Sequence, residues 1–283
     1  RNINDIKTVF EISKKENKPI EAVIHLAGLK SVRESCIKPL IYWENNLIGS
    51  INLIDVMNQF NCRNIVFSSS ATVYRNKFNA LLSEKDDCEP VNPYGQTKLA
   101  VDNLLKDLYE SASSEWRIAS LRYFNPVGSH SSGLIGEDPL GDPNNLFPQI
   151  TRVASGKLEK IKIFGSDWPT HDGTGIRDYI HIMDLADGHF SVLNYLLNKK
   201  PQFLTLNLGT GKGTSVLQLI KIFEKVNNVS IPFSFEDRRP GDNAFVVADN
   251  SLAKLILNWS PKRNIEKICE DGWKWQLKNP NGY

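Results

Sequence analysis

At 283 residues and 41% hydrophobic content, the chain can bury one large core or two smaller ones. A net charge of +2 from evenly mixed signs gives no case for nucleic acid or an anionic membrane as a partner. No run of about 18 apolar residues stands ready to span a membrane, and no stretch reads as a signal peptide.

In chain order, residues near Asp5–Asn17 read as a helix and Glu21–Ala27 as a continuous apolar strand of the buried, parallel kind. A second helix is expected over Trp43–Phe60. It is apolar around more than half its circumference, at Leu47, Ile48, Ile51, Leu53, Ile54, Val56, Met57 and Phe60. One face would pack on a sheet, and the remainder needs either a large core or a subunit interface as cover. Strand Asn64–Ser68 follows. A third helix begins at Asn92 and runs to about Ser111, with Val101, Leu104, Leu105 and Leu108 forming one apolar face, and then comes strand Arg117–Tyr123. This alternation predicts an α/β fold with a doubly wound parallel sheet. After about Pro126 the composition shifts. Gly, Pro, Asp and Asn crowd residues 128–145 and 165–175, which marks long loops of the kind that carry function. The expected division is a sheet domain over residues 1–125 and a smaller α/β substrate domain over 126–283, whose strands return to the main sheet.

Two motifs invite functional readings that their spacing does not support. Gly209 to Thr214 is not a GxxxxGK[ST] loop, and Thr214 or Ser215 reads as the cap of a following helix. Asp184 likewise reads as a helix cap. The cysteines, Cys36, Cys62, Cys88 and Cys269, are scattered without CxxC spacing, and the histidines form no HExxH pair. Neither a disulfide framework nor a metal site is expected, and scattered thiols fit a reducing, cytoplasmic setting.

The most informative residues are Tyr94 and Lys98. Asn92 suits a helix cap and Pro93 its first position, so Tyr94 falls in the first turn and Lys98 lies over the same face four residues on. A phenol titrates near ~10, and an adjacent cation lowers that by roughly 1–3 units. The pair is therefore expected to bring a tyrosine toward proton exchange at neutral pH. Upstream, Ser68-Ser69-Ser70 ends the apolar strand Ile65-Val66-Phe67, placing hydroxyls at the sheet rim where open α/β folds bind ligands.

A serine-ended strand followed by a capped helix carrying Tyr-x-x-x-Lys resembles the short-chain dehydrogenase/reductase superfamily. Longer stretches narrow the resemblance. Residues 23–30 (VIHLAGLK), 68–74 (SSSATVY), 121–128 (LRYFNPVG), 138–146 (DPLGDPNNL) and 172–181 (DGTGIRDYIH) are similar to the UDP-glucose 4-epimerase family across essentially the whole chain. The resemblance implies a Rossmann-type sheet, bound NAD, UDP-glucose or UDP-galactose as substrate, and a homodimer joined through a four-helix bundle. It places Arg1 just after the family's third strand. About two βαβ elements of a family member, with the pyrophosphate loop, are thus expected ahead of it, making this chain an amino-terminally truncated fragment.

Residue by residue, the resemblance gives the chemistry to Tyr94, Lys98 and Ser70. It gives NAD contacts to Leu26, Ala27, Gly28, Lys30, Asn45, Ser68, Tyr94, Lys98, Tyr123, Phe124 and Pro126. The nucleotide sugar falls to Ser70, Tyr94, Asn125, Asn145 and Leu146, with Phe164 beside the uracil, Arg177 and Arg239 on the diphosphate, and Asp242 on a ribose hydroxyl. An arginine fork matches phosphate oxygens, although a loop arginine is more often only solvated or salt-bridged.

The sequence departs from the family pattern at two places. Arg75 replaces a glycine common after Tyr74, which bears on that loop's conformation. Val246 stands where some members carry a tyrosine against the hexose, which implies room for UDP-N-acetylhexosamines. Two rival readings share the fold. A nucleotide-sugar 4,6-dehydratase needs an acid–base pair beside the serine, where this chain has Ala71-Thr72. A non-catalytic NAD-binding scaffold has no need of Tyr94 or Lys98.

Overall fold

A computed structural model of the chain describes every residue except Asn76, Phe78, Leu140, Asp142, Asn144 and Pro240. Three positions of the 138–146 motif, and the proline after Arg239, therefore lie outside the described residues. The elements run α1 (Ile3–Lys15), β1 (Val23–His25), α2 (Val32–Ile37), α3 (Pro39–Tyr42), a π-helical turn (Trp43–Ile48) and α4 (Gly49–Gln59). Next come β2 (Asn64–Ser70), a 3₁₀ turn (Ala71–Val73), α5 (Pro93–Ser111), β3 (Arg117–Tyr123), β4 (Asn125–Val127) and α6 (Leu146–Ala154). Then follow β5 (Ile161–Phe164), β6 (Ile176–Arg177), β7 (Tyr179–His181), α7 (Ile182–Leu197), β8 (Gln202–Leu208) and β9 (Thr214–Ser215). The chain closes with α8 (Val216–Asn227), β10 (Phe233–Glu236), β11 (Phe245–Val246), α9 (Ser251–Leu257) and α10 (Ile265–Lys278).

Two compact units divide these elements. The first comprises residues 1–75, 84–123 and 189–206. Its sheet has the order β1-β2-β3-β8, with β1, β2 and β3 parallel. Strands β2 and β3 are buried along almost their whole length, which is why they read as unbroken apolar runs. Ile65 and Phe67 of β2 and Ile118 of β3 face a core built with Ile54 and Met57 of α4, Val101 and Leu105 of α5, and Phe10 of α1. The anticipated parallel α/β sheet is thus present, with β2 two residues longer than the sequence suggested. The serines themselves are strand, because Ser68 to Ser70 pair in register with Leu121 to Tyr123. The helix expected over Trp43–Phe60 is real but opens as a π turn.

The second unit comprises residues 76–83, 124–188 and 207–283. It holds three small sheets, β10-β5, β11-β6-β9 and β4-β7. Phe147 and Ile150 of α6, Ile161 and Ile163 of β5, Leu219 and Phe223 of α8 and Ile268 of α10 form its core. Ser215 caps α8, with the reciprocal Gln218 bond to the Ser215 amide completing a capping box. Asp184 corrects the sequence reading. It lies inside the first turn of α7, and its carboxylate accepts the amides of Lys262 and Arg263 together with the Arg263 guanidinium. It anchors a later segment instead of capping its own helix. Arg75 takes no left-handed conformation, so glycine is not required there. Its side chain pairs with Asp87 and Glu89.

Candidate active site

The carboxyl ends of β1 and β2 and the first turns of α5 bring the chemical groups together. Asn92 caps α5, its side chain accepting from Gly95 N at 2.9 Å, and Pro93 occupies the first helical turn. Tyr94 and Lys98 follow one turn apart on the same face. Gly95 lets this turn approach the 3₁₀ turn, since a Cβ there would lie 2.7 Å from Thr72 O and 2.8 Å from Pro90 Cβ.

Ser70 connects Tyr94 to the 3₁₀ turn. Its hydroxyl oxygen accepts from Thr72 N at 3.2 Å and from Thr72 Oγ1 at 2.9 Å. Ser70 also hydrogen-bonds the Tyr94 phenol, and a hydroxyl that can both donate and accept links Thr72 to that phenol.

Lys98 is 5% exposed. Its ammonium donates to Ser68 O at 2.7 Å and lies over the rings of Phe67, at 4.9 Å, and Tyr94, at 5.9 Å from the centroid. Burial lowers its pKa to about 8, opposed by the carboxylate of Asp102. The sequence led us to expect a phenol lowered by this cation. The structure corrects that: the Tyr94 phenol is pushed up, because burial penalises the phenolate, and the Ser70 hydrogen bond pulls it only part of the way back. The ammonium is bonded to a backbone carbonyl and lies over the ring face, not at the hydroxyl.

The remaining residues expected at NAD are distributed over both units. Leu26, Ala27, Gly28 and Lys30 form the exposed loop after β1. A Cβ at Gly28 would lie 3.2 Å from Asn46 Oδ1 and 3.6 Å from Lys98 Nζ, so this loop passes directly beside the lysine. Ser68 hydrogen-bonds the Tyr123 phenol, which is raised by burial and in turn bonds His189 Nε2 with the two rings edge to face. Asn45 is half-buried and uses its side-chain amide on Ile41 O at 2.8 Å. Phe124 and Pro126 belong to the second unit. The exposed loop, the strand ends and the intervening ammonium make a rim of the kind that takes a dinucleotide in parallel α/β sheets, so the residues fit NAD.

In the second unit, the loop after β10 gathers the residues expected at the diphosphate and base. Arg177 on β6 donates from Nη1 to Asn243 O at 2.8 Å and to Ile176 O at 2.9 Å. Arg239 stacks on Phe164 at 3.5 Å, and Arg238 stacks on Trp168 at 4.1 Å while binding Asp167. Asp242 is exposed in the turn that Arg239 O closes through the Asp242 amide. Asn125 lies on β4, and its amide donates to Asp178 O at 2.9 Å. Asn145 precedes α6 and is exposed, while Leu146 is the helix's first residue and half-buried.

Four groups at the core of this architecture escaped the sequence reading. Asn46 accepts from Leu29 N at 2.8 Å and donates to Leu29 O and to Thr97 Oγ1, tying the β1 loop to α5. His25 bonds Ser50 Oγ at 2.8 Å, and burial lowers its pKa to about 4. Asp102 binds Ser69, Ser120 and Arg122. Asp178 accepts the Thr210, Gly211 and Ala248 amides and the Thr210 hydroxyl, folding the Gly209–Thr214 loop around a carboxylate. Only Asp102 left a usable signal, four residues after Lys98.

Comparison with known proteins agrees with this geometry. A family profile described as GDP-mannose 4,6 dehydratase matches residues 2–272. The UDP-glucose 4-epimerase of Bacillus subtilis is 52% identical over 264 residues, covering 93% of this chain and 77% of that protein. Among solved structures, the UDP-glucose 4-epimerase of Stenotrophomonas maltophila with bound NAD and formylated UDP-arabinopyranose superposes with a TM-score of 0.94. It is 45% identical, over 99% of this chain and 82% of that one. The Bifidobacterium longum enzyme in complex with NAD+ and UDP gives 0.92 at 43% identity, over 100% and 83% of the two chains. The residues after Ser70 are Ala71 and Thr72, and Thr72 serves Ser70 as a hydrogen-bond donor where a dehydratase needs an acid–base pair. With a parallel α/β sheet, a Ser-Tyr-Lys constellation at its rim and this identity over nearly its full length, the chain belongs to the UDP-glucose 4-epimerase family.

Proposed function

We propose that this protein interconverts UDP-glucose and UDP-galactose by inverting C4 through transient oxidation to the 4-keto sugar. The observation that carries the proposal is the Ser70–Tyr94–Lys98 arrangement, with Ser70 hydrogen-bonded to the phenol and Lys98 buried beneath it. A C4 hydrogen has no neighbouring carbonyl to stabilise a carbanion, so simple proton abstraction is closed to this carbon. NAD, when bound, supplies the two-electron acceptor for C4 and a cationic ring that favours a phenolate nearby. Tyr94 takes the proton of the 4-hydroxyl, and Ser70 hydrogen-bonds the same oxygen and passes the proton between it and Tyr94. Lys98 stabilises the phenolate and, with the Leu26–Lys30 loop, Asn45, Ser68, Tyr123, Phe124 and Pro126, holds the cofactor. After the 4-keto sugar has presented its other face, the hydride equivalent taken from C4 would return to that face of C4 while Tyr94 returns the proton to O4, which completes the inversion with no net redox change.

Arg177 and Arg239 hold the diphosphate, Phe164 lies against the uracil, and Asp242 takes a ribose hydroxyl. Asn125, Asn145 and Leu146 contact the nucleotide sugar. Strong grip on the nucleotide with a loose grip on the hexose permits the flip, which is why charge is concentrated on the diphosphate. Support for these roles is the convergence of Phe164, Arg177, Arg239 and Asp242 on one loop. Val246, smaller than tyrosine, leaves space for a C2 N-acetyl group, so UDP-N-acetylhexosamines fall within the proposed range.

The protein acts as a homodimer in this reading. Ile48 and Ile51, 49% and 42% exposed, stay uncovered at the start of the α4 region, with Leu40 and Ile41 before them. A second copy's matching helices would cover them in a four-helix bundle. A cytoplasmic setting suits four free thiols. No helix of the described residues is long and apolar enough to cross a membrane. The deciding experiment is conversion of UDP-galactose to UDP-glucose by purified protein without added reductant. Absence of turnover in NAD-loaded protein overturns the assignment.

A further inference from the structure

Tyr94, Lys98 and Asp102 follow one another at intervals of four along α5, so they form a single polar stripe on an otherwise apolar helix face. The stripe ends in a carboxylate that is 5% exposed. Alternation along β2 turns Ser69 toward this face, with Ile65 and Phe67, while Ser68 and Ser70 point the other way. Ser69 Oγ donates to Asp102 Oδ2 at 3.0 Å. From β3, Ser120 Oγ donates to Oδ1 at 2.5 Å and Arg122 Nε to Oδ2 at 3.3 Å. Arg122, 7% exposed, reaches onward to the Tyr74 ring at 4.8 Å and hydrogen-bonds its phenol. One side chain thereby locks the helix that carries Tyr94 and Lys98 to the strand that carries Ser68 and Ser70. Through Arg122 it also locks the end of the Ser70–Tyr74 segment.

A buried ion pair of this kind is a costly way to hold a helix on a sheet, and apolar packing achieves the same at less expense. The neighbour that gains from the negative charge is Lys98, one turn away. Among the described residues, the charged and titratable groups around Lys98 are few. His25 on β1 is neutral, Tyr94 on α5 is protonated in the resting chain, β2 offers only the Ser68 carbonyl and the Phe67 ring, and Arg122 on β3 is neutralised by Asp102 itself. Asp102 is the carboxylate that opposes the desolvation of the ammonium.

We propose that Asp102 is a positioning residue for the reaction: clasped by Ser69, Ser120 and Arg122, its carboxylate keeps Lys98 an ammonium at Ser68 O beneath Tyr94. The inference rests on the roles given to Tyr94 and Lys98 above. A purely structural carboxylate would affect stability and overall rate, whereas this one sets the pH range in which Lys98 carries charge.

The test compares Asp102→Asn and Asp102→Glu with wild type in two measurements. The first is the pH profile of kcat and KM in NAD-loaded enzyme. The second is an NMR titration of ¹⁵N-labelled lysine ammonium groups in ligand-free protein, with Lys98→Arg assigning the signal. Asp102→Asn is expected to move the alkaline limb of kcat, and the Lys98 midpoint, about one pH unit toward acid. At pH 8, close to the wild-type Lys98 midpoint, kcat then falls about fivefold while KM stays within about twofold. Asp102→Glu is expected to keep both near wild type. A uniform fall in kcat with the limb and midpoint unmoved overturns the proposal. Should Asp102→Asn fail to fold, the Ser69→Ala/Ser120→Ala double variant retains the charge pair and removes two donors. Burial pushes the Asp102 carboxyl up while Arg122, Ser120 and Ser69 pull it back down, so loss of the two serine donors should let Asp102 protonate more easily and move the acid limb of kcat toward neutrality; an unmoved acid limb overturns the proposal. Wild-type protein that binds NAD but turns over no UDP-galactose would defeat the functional reading, while the NMR titration still decides the link between Asp102 and Lys98.

Discussion

Lys98 bonds a carbonyl and not the phenol it accompanies, with Nζ 2.7 Å from Ser68 O and 5.9 Å from the centroid of the Tyr94 ring. The lysine is therefore held under the tyrosine by the strand end, ready to counter charge on the phenolate without consuming the phenol's hydrogen-bonding capacity. Ser70 hydrogen-bonds that oxygen in the resting state. In the proposed reaction, a phenol raised by burial becomes a competent base only when further positive charge arrives, which would tie proton transfer to cofactor binding.

Replacing Tyr94 with phenylalanine removes the proposed base and preserves the ring under which Lys98 sits. We expect kcat to fall by a factor of about 10² or more, with UDP affinity within about twofold. Turnover within tenfold of wild type would reject Tyr94 as the proton acceptor.

Acid stability should depend on His25. Its folded-state pKa of about 4 lies below the ordinary 6.5, so as pH falls the unfolded chain binds the proton first. Stability from this group is fully present above pH 6.5 and is lost between 6.5 and 4, with a ceiling of about 3 kcal/mol. Urea unfolding of His25→Gln, which can still bond Ser50, should show a shallower loss over that window. Identical pH slopes in the two proteins would show that His25 is not the titrating group.

Gly95→Ala tests the close approach of α5 to the 3₁₀ turn. The added methyl would sit 2.7 Å from a backbone oxygen, which cannot retreat as a flexible side chain could. A destabilisation of about 1–3 kcal/mol is expected, together with lower kcat as Tyr94 and Ser70 separate. A melting temperature and rate equal to wild type would mean that the turn accommodates the methyl.

Val246 tests substrate range. It is half-buried on β11, opposite Arg177 in the parallel ladder, with its carbonyl accepting Asp178 N at 3.0 Å. Wild type is expected to epimerise UDP-N-acetylglucosamine as well as UDP-glucose, and Val246→Tyr should suppress the N-acetyl substrate selectively. The ratio of kcat/KM for the two sugars decides. Undetectable turnover of the N-acetyl sugar by wild type would indicate that another group fills the space.

The sequence by itself determined the alternation of strands and helices, the Asn92 cap that puts Tyr94 and Lys98 on one face, the rim serines and the capping of α8. Each of these depends on contacts within a few residues, where periodicity and local hydrogen bonding leave a trace. It could not determine where Lys98 would place its proton, since Ser68 lies thirty residues away in the chain. Nor could it say that burial outweighs charge at Tyr94, that Asp184 anchors Arg263, or that Asn46, not its neighbour Asn45, ties the β1 loop to α5. Those outcomes were decided only by tertiary structure, because desolvation and long-range hydrogen bonds depend on which surfaces meet. Asp102 falls between the two cases. Its spacing from Lys98 is written in the sequence, but its meaning appears only when Ser69, Ser120 and Arg122 arrive from two different strands to hold its charge.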